Sequence, residues 1–139
     1  MGEACRFCEI VRAETPAHVV IGDGPVRAFL DHRPIFPGHT LVVPELHVEH
    51  LNAMPDDLIE PFWVTVRAVS RAMLDGLEAT GTFVATNTVV SQSVPHLHAH
   101  VVPRRRKDGL RGFFWPRTRY ASDAEAAAVA ARLRNVVML

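Results

Sequence analysis

The clearest periodicity in the chain runs through Leu58, Phe62, Val66, Val69, Met73 and Leu77, which recur every three or four residues. That spacing puts one apolar stripe on an α-helix, and it predicts an amphipathic helix reaching about Gly76. Pro55 followed by Asp56 and Asp57 suits the start of such a helix. Pro61 does not suit its interior, so the first turn is expected to be irregular, or the regular helix to begin nearer Pro61. Elsewhere the apolar runs are short. Residues 5–14 read as a short first helix. Residues 18–21 and 26–30 read as two strands around the turn Gly22-Asp23-Gly24-Pro25. Residues 40–43 are apolar or β-branched and end at Pro44, which predicts a third strand. Residues 82–87 and 96–102 predict two more. Ser122 and Glu125 form an S-x-x-E capping box ahead of an alanine-rich stretch, the signature of a C-terminal helix. The sum is an α+β fold with about five mostly antiparallel strands and two main helices.

At 139 residues the chain fits a single domain, 1–139, with a core over about 5–104 and a loop and terminal helix over 105–139. Fifteen basic residues balance fifteen acidic ones, which argues against non-specific coating of nucleic acid or membrane. No run approaches the roughly 20 apolar residues that span a bilayer. The N-terminus lacks the basic-then-apolar order of a signal peptide, so a cytoplasmic setting is expected. In that reducing setting Cys5 and Cys8, a C-x-x-C pair, point to metal binding or redox chemistry rather than a structural disulfide.

The segment richest in chemistry is Pro95-His96-Leu97-His98-Ala99-His100-Val101-Val102. In an extended strand alternate side chains share a face. His96, His98 and His100 would stand in one row roughly 6.5–7 Å apart, with Leu97, Ala99 and Val101 packing on the core behind them. A row of structural histidines or a catalytic zinc held by His-x-His are two readings of that pattern. Nucleotidyl transfer is the third. A neutral imidazole is nucleophilic near neutral pH, can form a phosphoramidate, and has neighbours able to donate to phosphoryl oxygens.

With these residues in view, the chain resembles the histidine-triad family of nucleotide hydrolases and transferases. The resemblance rests on His96 to Val102, on Phe29-Leu30-Asp31 with Pro34, on Pro37-Gly38-His39-Thr40-Leu41-Val42-Val43-Pro44 with His47, and on Asn87 with Gln92-Ser93-Val94. The family often carries glycine before the Gln-Ser/Thr-Val step, where this chain has Ser91. The resemblance implies that His98 is the nucleophile, that His100 holds the phosphate, and that His96 supports His98. It further implies that Asp31 accepts from the ribose hydroxyls and that Asn87, Gln92 and Ser93 contact the α-phosphate. The implied reaction is hydrolysis at the α-phosphate of a dinucleoside polyphosphate or a nucleoside phosphoramidate through a nucleotidyl–His98 intermediate, with adenine the expected base. A binding or sensing module with little turnover, and a transferase or phosphorylase, are the alternatives. Cys5-Arg6-Phe7-Cys8 resembles the N-terminal pair of a bacterial subset in which two thiolates join two histidines, here His47 and His96, around structural zinc. A homodimer is implied, with no membrane and no stable nucleic-acid partner. His18, His32, His39 and His50 carry no motif and are expected at the surface.

Seven of the fifteen basic residues fall within 104–119, interleaved with Phe113, Phe114, Trp115 and Tyr120. This stretch reads either as a collar for the distal part of a polyphosphate or as a solvated loop with anchored aromatics. Pro103-Arg104 at the end of the triad strand leans toward the polyphosphate.

Overall fold

The computed structural model describes residues 4–111 and 116–139. The chain divides at Asp108 into two units. The first is built on a five-stranded antiparallel sheet of order β1-β2-β3-β5-β4, with β1 Val19–Ile21, β2 Val26–Leu30, β3 Thr40–Pro44, β4 Gly81–Ala85 and β5 Ala99–Arg104. Helix α1 (Arg6–Val11) precedes the sheet, and α2 (Asp56–Gly76) lies between β3 and β4.

Strand alternation sorts the sheet's side chains onto two faces. Val26, Ala28, Val42, Ala99 and Val101 meet the stripe Leu58, Phe62, Val66, Val69 and Met73 of α2, forming the main core. Phe29, Leu41 and Val43 face the other way and form a smaller cluster with Phe7 of α1. Pairing of Leu41 with His100 carries the triad onto this second face.

Three expectations are corrected. Helix α2 is regular from Asp56 although Pro61 lies inside it. Proline at that position removes only the bond to the Asp57 carbonyl, and Asp57 is exposed, so water can take its place. Leu77, predicted on the buried stripe, is the C-cap residue and 40% exposed. The triad strand begins at Ala99, not His96. Its ladder to β3 stops at the Val42–Ala99 pair, and β3 ends two residues later at Pro44, which has no N–H to donate. His96 and Leu97 instead bond to Val94 and Val48 through their backbone N–H groups.

In the second unit half of the predicted capping box forms, since the Glu125 side chain bonds the N–H before the N-cap and not that of the N-cap Ser122 itself. Ser122 accepts from the Glu125 N–H at 3.1 Å, Glu125 reaches back to the Ala121 N–H, and α3 (Asp123–Val136) follows. Phe113, Phe114 and Trp115 of the basic, aromatic stretch lie outside the described residues. Among the described residues no helix is long and apolar enough to cross a membrane.

Candidate active site

On the α1 side of the sheet a cavity of about 530 Å³ is walled by Phe7 and Ile10 of α1, Ala17 and His18 before β1, Phe29 of β2 and Leu41 of β3. Asp31, His32, Ser93, His98 and His100 bring polar groups to it. An apolar slot with a few convergent polar groups suits a small organic ligand.

The histidine tautomers follow from bonds whose direction has one possible sense, because a carbonyl only accepts and an amide N–H only donates. His98 Nδ1 lies 2.7 Å from the His96 carbonyl, so Nδ1 carries the proton and Nε2 holds a free lone pair. His96 Nε2 lies 2.9 Å from the Pro44 carbonyl, so Nε2 carries the proton and Nδ1 the lone pair. His39 Nδ1 accepts from the Ile35 N–H at 3.0 Å, so neutral His39 carries its proton on Nε2. That proton is donated to His100 Nδ1 at 2.9 Å, which leaves the His100 proton on Nε2. Neighbouring rings of the row therefore differ in what they present: His98 offers a lone pair, and His100 offers a donor.

Burial acts on these rings in one direction. It pushes His98 below its ordinary value of 6.5, opposed by the bond to the His96 carbonyl and by Asp31. It pushes His96 and His100 down to about 4, and it lowers His39. All four are therefore neutral at pH 7, the state that nucleophilic attack or metal ligation requires.

His39 is the residue that sequence reasoning missed. Expected at the surface, it is 3% exposed and sits against His100, with Asp31 Oδ2 3.7 Å away. The signal was available in period two: His39 falls in phase with Leu41 and Val43, which face the triad. His18 and His32 are exposed, as expected, at the rim of the cavity. His50 is half-buried.

The predicted phosphate contacts separate. Ser93 lines the cavity. Asn87 donates to the Ser91 carbonyl at 3.1 Å, and Gln92 bridges the Glu49 carbonyl and the Val89 N–H. Both amides are thus engaged within or beside their own loop. Ser91, in the place of the family glycine, takes φ 61°, and Val89 takes φ 68°. The left-handed backbone that glycine would allow is present without it. Asp31 lines the cavity while its Oδ1 accepts from the Arg33 N–H at 2.9 Å, so it is at once a turn residue and a free acceptor through Oδ2. Arg104 forks Asp108 at 2.6 and 3.1 Å and Arg105 donates to the Leu77 carbonyl, and neither lines the cavity.

Cys5, Cys8, His47 and His96 converge on one point. The His47 and His96 Nδ1 atoms are 3.2 Å apart, and the sulfur-to-Nδ1 distances are 3.3, 3.4 and 3.5 Å. Tetrahedral zinc with ordinary bond lengths requires about 3.4 Å between nitrogens and about 3.6 Å between nitrogen and sulfur. The His96 lone pair is the one aimed inward. The four residues fit a closed zinc site. Asp31, His39 and His100 also cluster, but the proton on His39 Nε2 faces the would-be ion, so that set does not fit a metal.

The HIT domain family model matches residues 12–107. An uncharacterized HIT-like protein of Methanocaldococcus jannaschii is 40% identical over 109 residues, covering 76% of this chain and 82% of that one. The adenosine 5'-monophosphoramidase of Saccharomyces cerevisiae is 32% identical over 108 residues, covering 77% and 67%. Among solved structures, a HIT family member of Bacillus subtilis superposes with TM-score 0.87 at 29% identity, covering 99% of both chains. A zinc-bound histidine-triad protein of Mycobacterium smegmatis superposes with TM-score 0.73 at 32% identity, covering 96% and 98%.

Proposed function

Because the chain belongs to the HIT domain family, we propose that it is a nucleotide hydrolase that cleaves at the α-phosphate of an adenosine phosphoramidate or dinucleoside polyphosphate. The observation that carries this reading is the free Nε2 lone pair of His98, on a ring fixed by its Nδ1–H bond at the wall of the cavity. Nε2 attacks the α-phosphorus, a P–Nε2 bond forms, and the bond to the leaving group breaks, the leaving group taking a proton from its surroundings. Positive charge that develops on the ring is stabilised by the His96 carbonyl. The Nε2–H of His100 donates to a phosphoryl oxygen, where negative charge accumulates. Water then cleaves the P–Nε2 bond and restores neutral His98. Asp31 Oδ2 takes the ribose hydroxyls, and the slot between Phe7, Ile10, Phe29 and Leu41 takes the base. Ser93 serves the α-phosphate, with Asn87 and Gln92 shaping the loop that presents it.

Two observations favour the phosphoramidate. One related protein is an adenosine 5'-monophosphoramidase. Arg104, the residue that pointed to a polyphosphate, is held by Asp108. Cys5, Cys8, His47 and His96 hold zinc, supported by the spacing of their ligand atoms and by a zinc-bound structural relative. Zinc there supplies a redox-silent crosslink, and a reducing cytoplasm keeps both thiols available. Two chains pair through the sheet's end strand β4, which carries the exposed Val84, and through α2, which carries the exposed Trp63 and Val64, all three at 37–44% exposure.

The test is a substrate panel with product analysis: adenosine phosphoramidates against dinucleoside polyphosphates of increasing length, with and without phosphate. AMP released by the wild-type chain and not by His98→Ala, with nucleotide binding retained, supports the reading. Turnover by a folded His98→Ala rejects it. An ADP product that appears only with added phosphate marks a phosphorylase instead.

A further inference from the structure

Helix α1 serves two sites at once. Cys5 is its N-cap and accepts from the Cys8 N–H at 3.4 Å, and both sulfurs face His47 and His96. Phe7 and Ile10 of the same six-residue helix line the nucleotide cavity. Phe7 lies between the two sites. Its ring is 6% exposed and meets His96 and His98 edge-on, with centroids 5.9 and 5.0 Å apart. It meets Phe29, on the floor of the cavity, at 5.4 Å.

A helix of six residues does not persist by its own backbone bonds, because one turn barely exceeds the nucleus. Its position is set by what its side chains grip. On one side that is the cysteine–histidine cluster, and on the other the aromatic cluster around Phe7. An ion that joins the two sulfurs to His47 and His96 fastens α1 to the end of β3 and to the start of the triad. Phe7 is then held against the nucleophile's ring, and the wall of the cavity is set before a nucleotide arrives. Without the ion the sulfurs and imidazoles keep only weak contacts of 3.3–3.5 Å, and α1 must be ordered at the cost of nucleotide affinity.

We propose that the metal site and the nucleotide site are thermodynamically coupled, with Phe7 as the positioning residue that links them. This rests on the two site readings above. Coupling of this kind is reciprocal: whatever factor zinc adds to nucleotide affinity, the nucleotide adds to zinc affinity.

The probes are zinc and AMP. Calorimetric titration of AMP into the zinc-loaded and the metal-free chain should show tighter binding with zinc, on the order of 5- to 50-fold. Chelator competition on the zinc-loaded chain, with and without saturating AMP, should show zinc held more tightly by the same factor. This second measurement does not require the metal-free chain to fold. Phe7→Ala should still bind one zinc and lose both effects. Phe7→Leu, which keeps an apolar side chain in the cluster, should fold in any case and lose most of them. Equal AMP affinity in both forms together with unchanged zinc affinity overturns the coupling. Full coupling in either Phe7 variant overturns the role of Phe7. A chain that binds AMP but no zinc, or zinc but no AMP, overturns the proposal and identifies which site reading failed.

Discussion

Replacing His39 separates the two hydrogen bonds that set the tautomer of His100. An Asn side chain at position 39 can place its amide near Nδ1 of the lost ring and keep the bond to Ile35, but it cannot reach His100. A Gln side chain can place an N–H near the lost Nε2 and keep the donor to His100. If the donor is lost, His100 is no longer fixed as the Nε2–H tautomer, and a lone pair can face the phosphoryl oxygen. Complete loss of one such donor costs about 2.7–4 kcal/mol in the transition state. Free exchange between two equally populated tautomers would cost only RT ln 2, about 0.4 kcal/mol. Partial retention by the surrounding packing places His39→Asn between these limits, at about 1–3 kcal/mol, or roughly 5- to 150-fold in kcat/KM. His39→Gln should lose less than about fivefold. The assay is steady-state hydrolysis of adenosine phosphoramidate, with melting temperatures to confirm that both variants fold. Wild-type kcat/KM in His39→Asn, or equal losses in the two folded variants, would refute the relay of tautomers from Ile35 through His39 to His100.

Gly38→Ala should destabilise the chain by about 1–3 kcal/mol in denaturant titration. Gly38 has φ 103°, and an added Cβ would lie 2.4 Å from Leu77 Cδ1, which can swing aside only because Leu77 is partly exposed; an unchanged midpoint would contradict this. The pH profile of kcat/KM should be flat through neutrality and fall on the acid side with an apparent pKa below 6.5, because protonation of His98 removes the lone pair; an acid limb centred above 6.5 would not fit. Stability of the metal-free chain should fall as pH drops from 6.5 toward 4. In that window the unfolded chain binds protons that folded His96 and His100, held at about 4, exclude, at up to ~1.4 kcal/mol per pH unit for each ring. Melting temperatures that rise on acidification through this window would show that the two rings are not buried neutral.

Much of this site could be read from the sequence because its logic is periodic. His96, His98 and His100 alternate with Leu97, Ala99 and Val101, so the buried apolar set fixes which way the histidines face. The helical stripe of α2 is equally plain. What escaped is set by contacts that residue type alone does not announce, some local and some distant in sequence. His39 looked like an isolated histidine after a Pro-Gly turn, yet it is buried and bonds at once to the Ile35 N–H and to His100, 61 residues away. The start of the triad strand escaped because it is set by Pro44 on a neighbouring strand and by the Val48 carbonyl, not by residues 96–98 themselves. The amides of Asn87 and Gln92 were legible as polar loop residues. Their direction is set by positive φ at Val89 and Ser91, which residue type alone does not announce.

The proposed chemistry turns on a covalent bond between His98 Nε2 and phosphorus. Acid-free quenching of the wild-type chain during the first turnover of adenosine phosphoramidate, followed by mass spectrometry of the triad peptide, tests it directly. One adenylyl group, localised by fragmentation to His98, should appear and decay within the turnover time. Product formation with an unmodified His98 throughout, or with the adenylyl group on another residue, would contradict it.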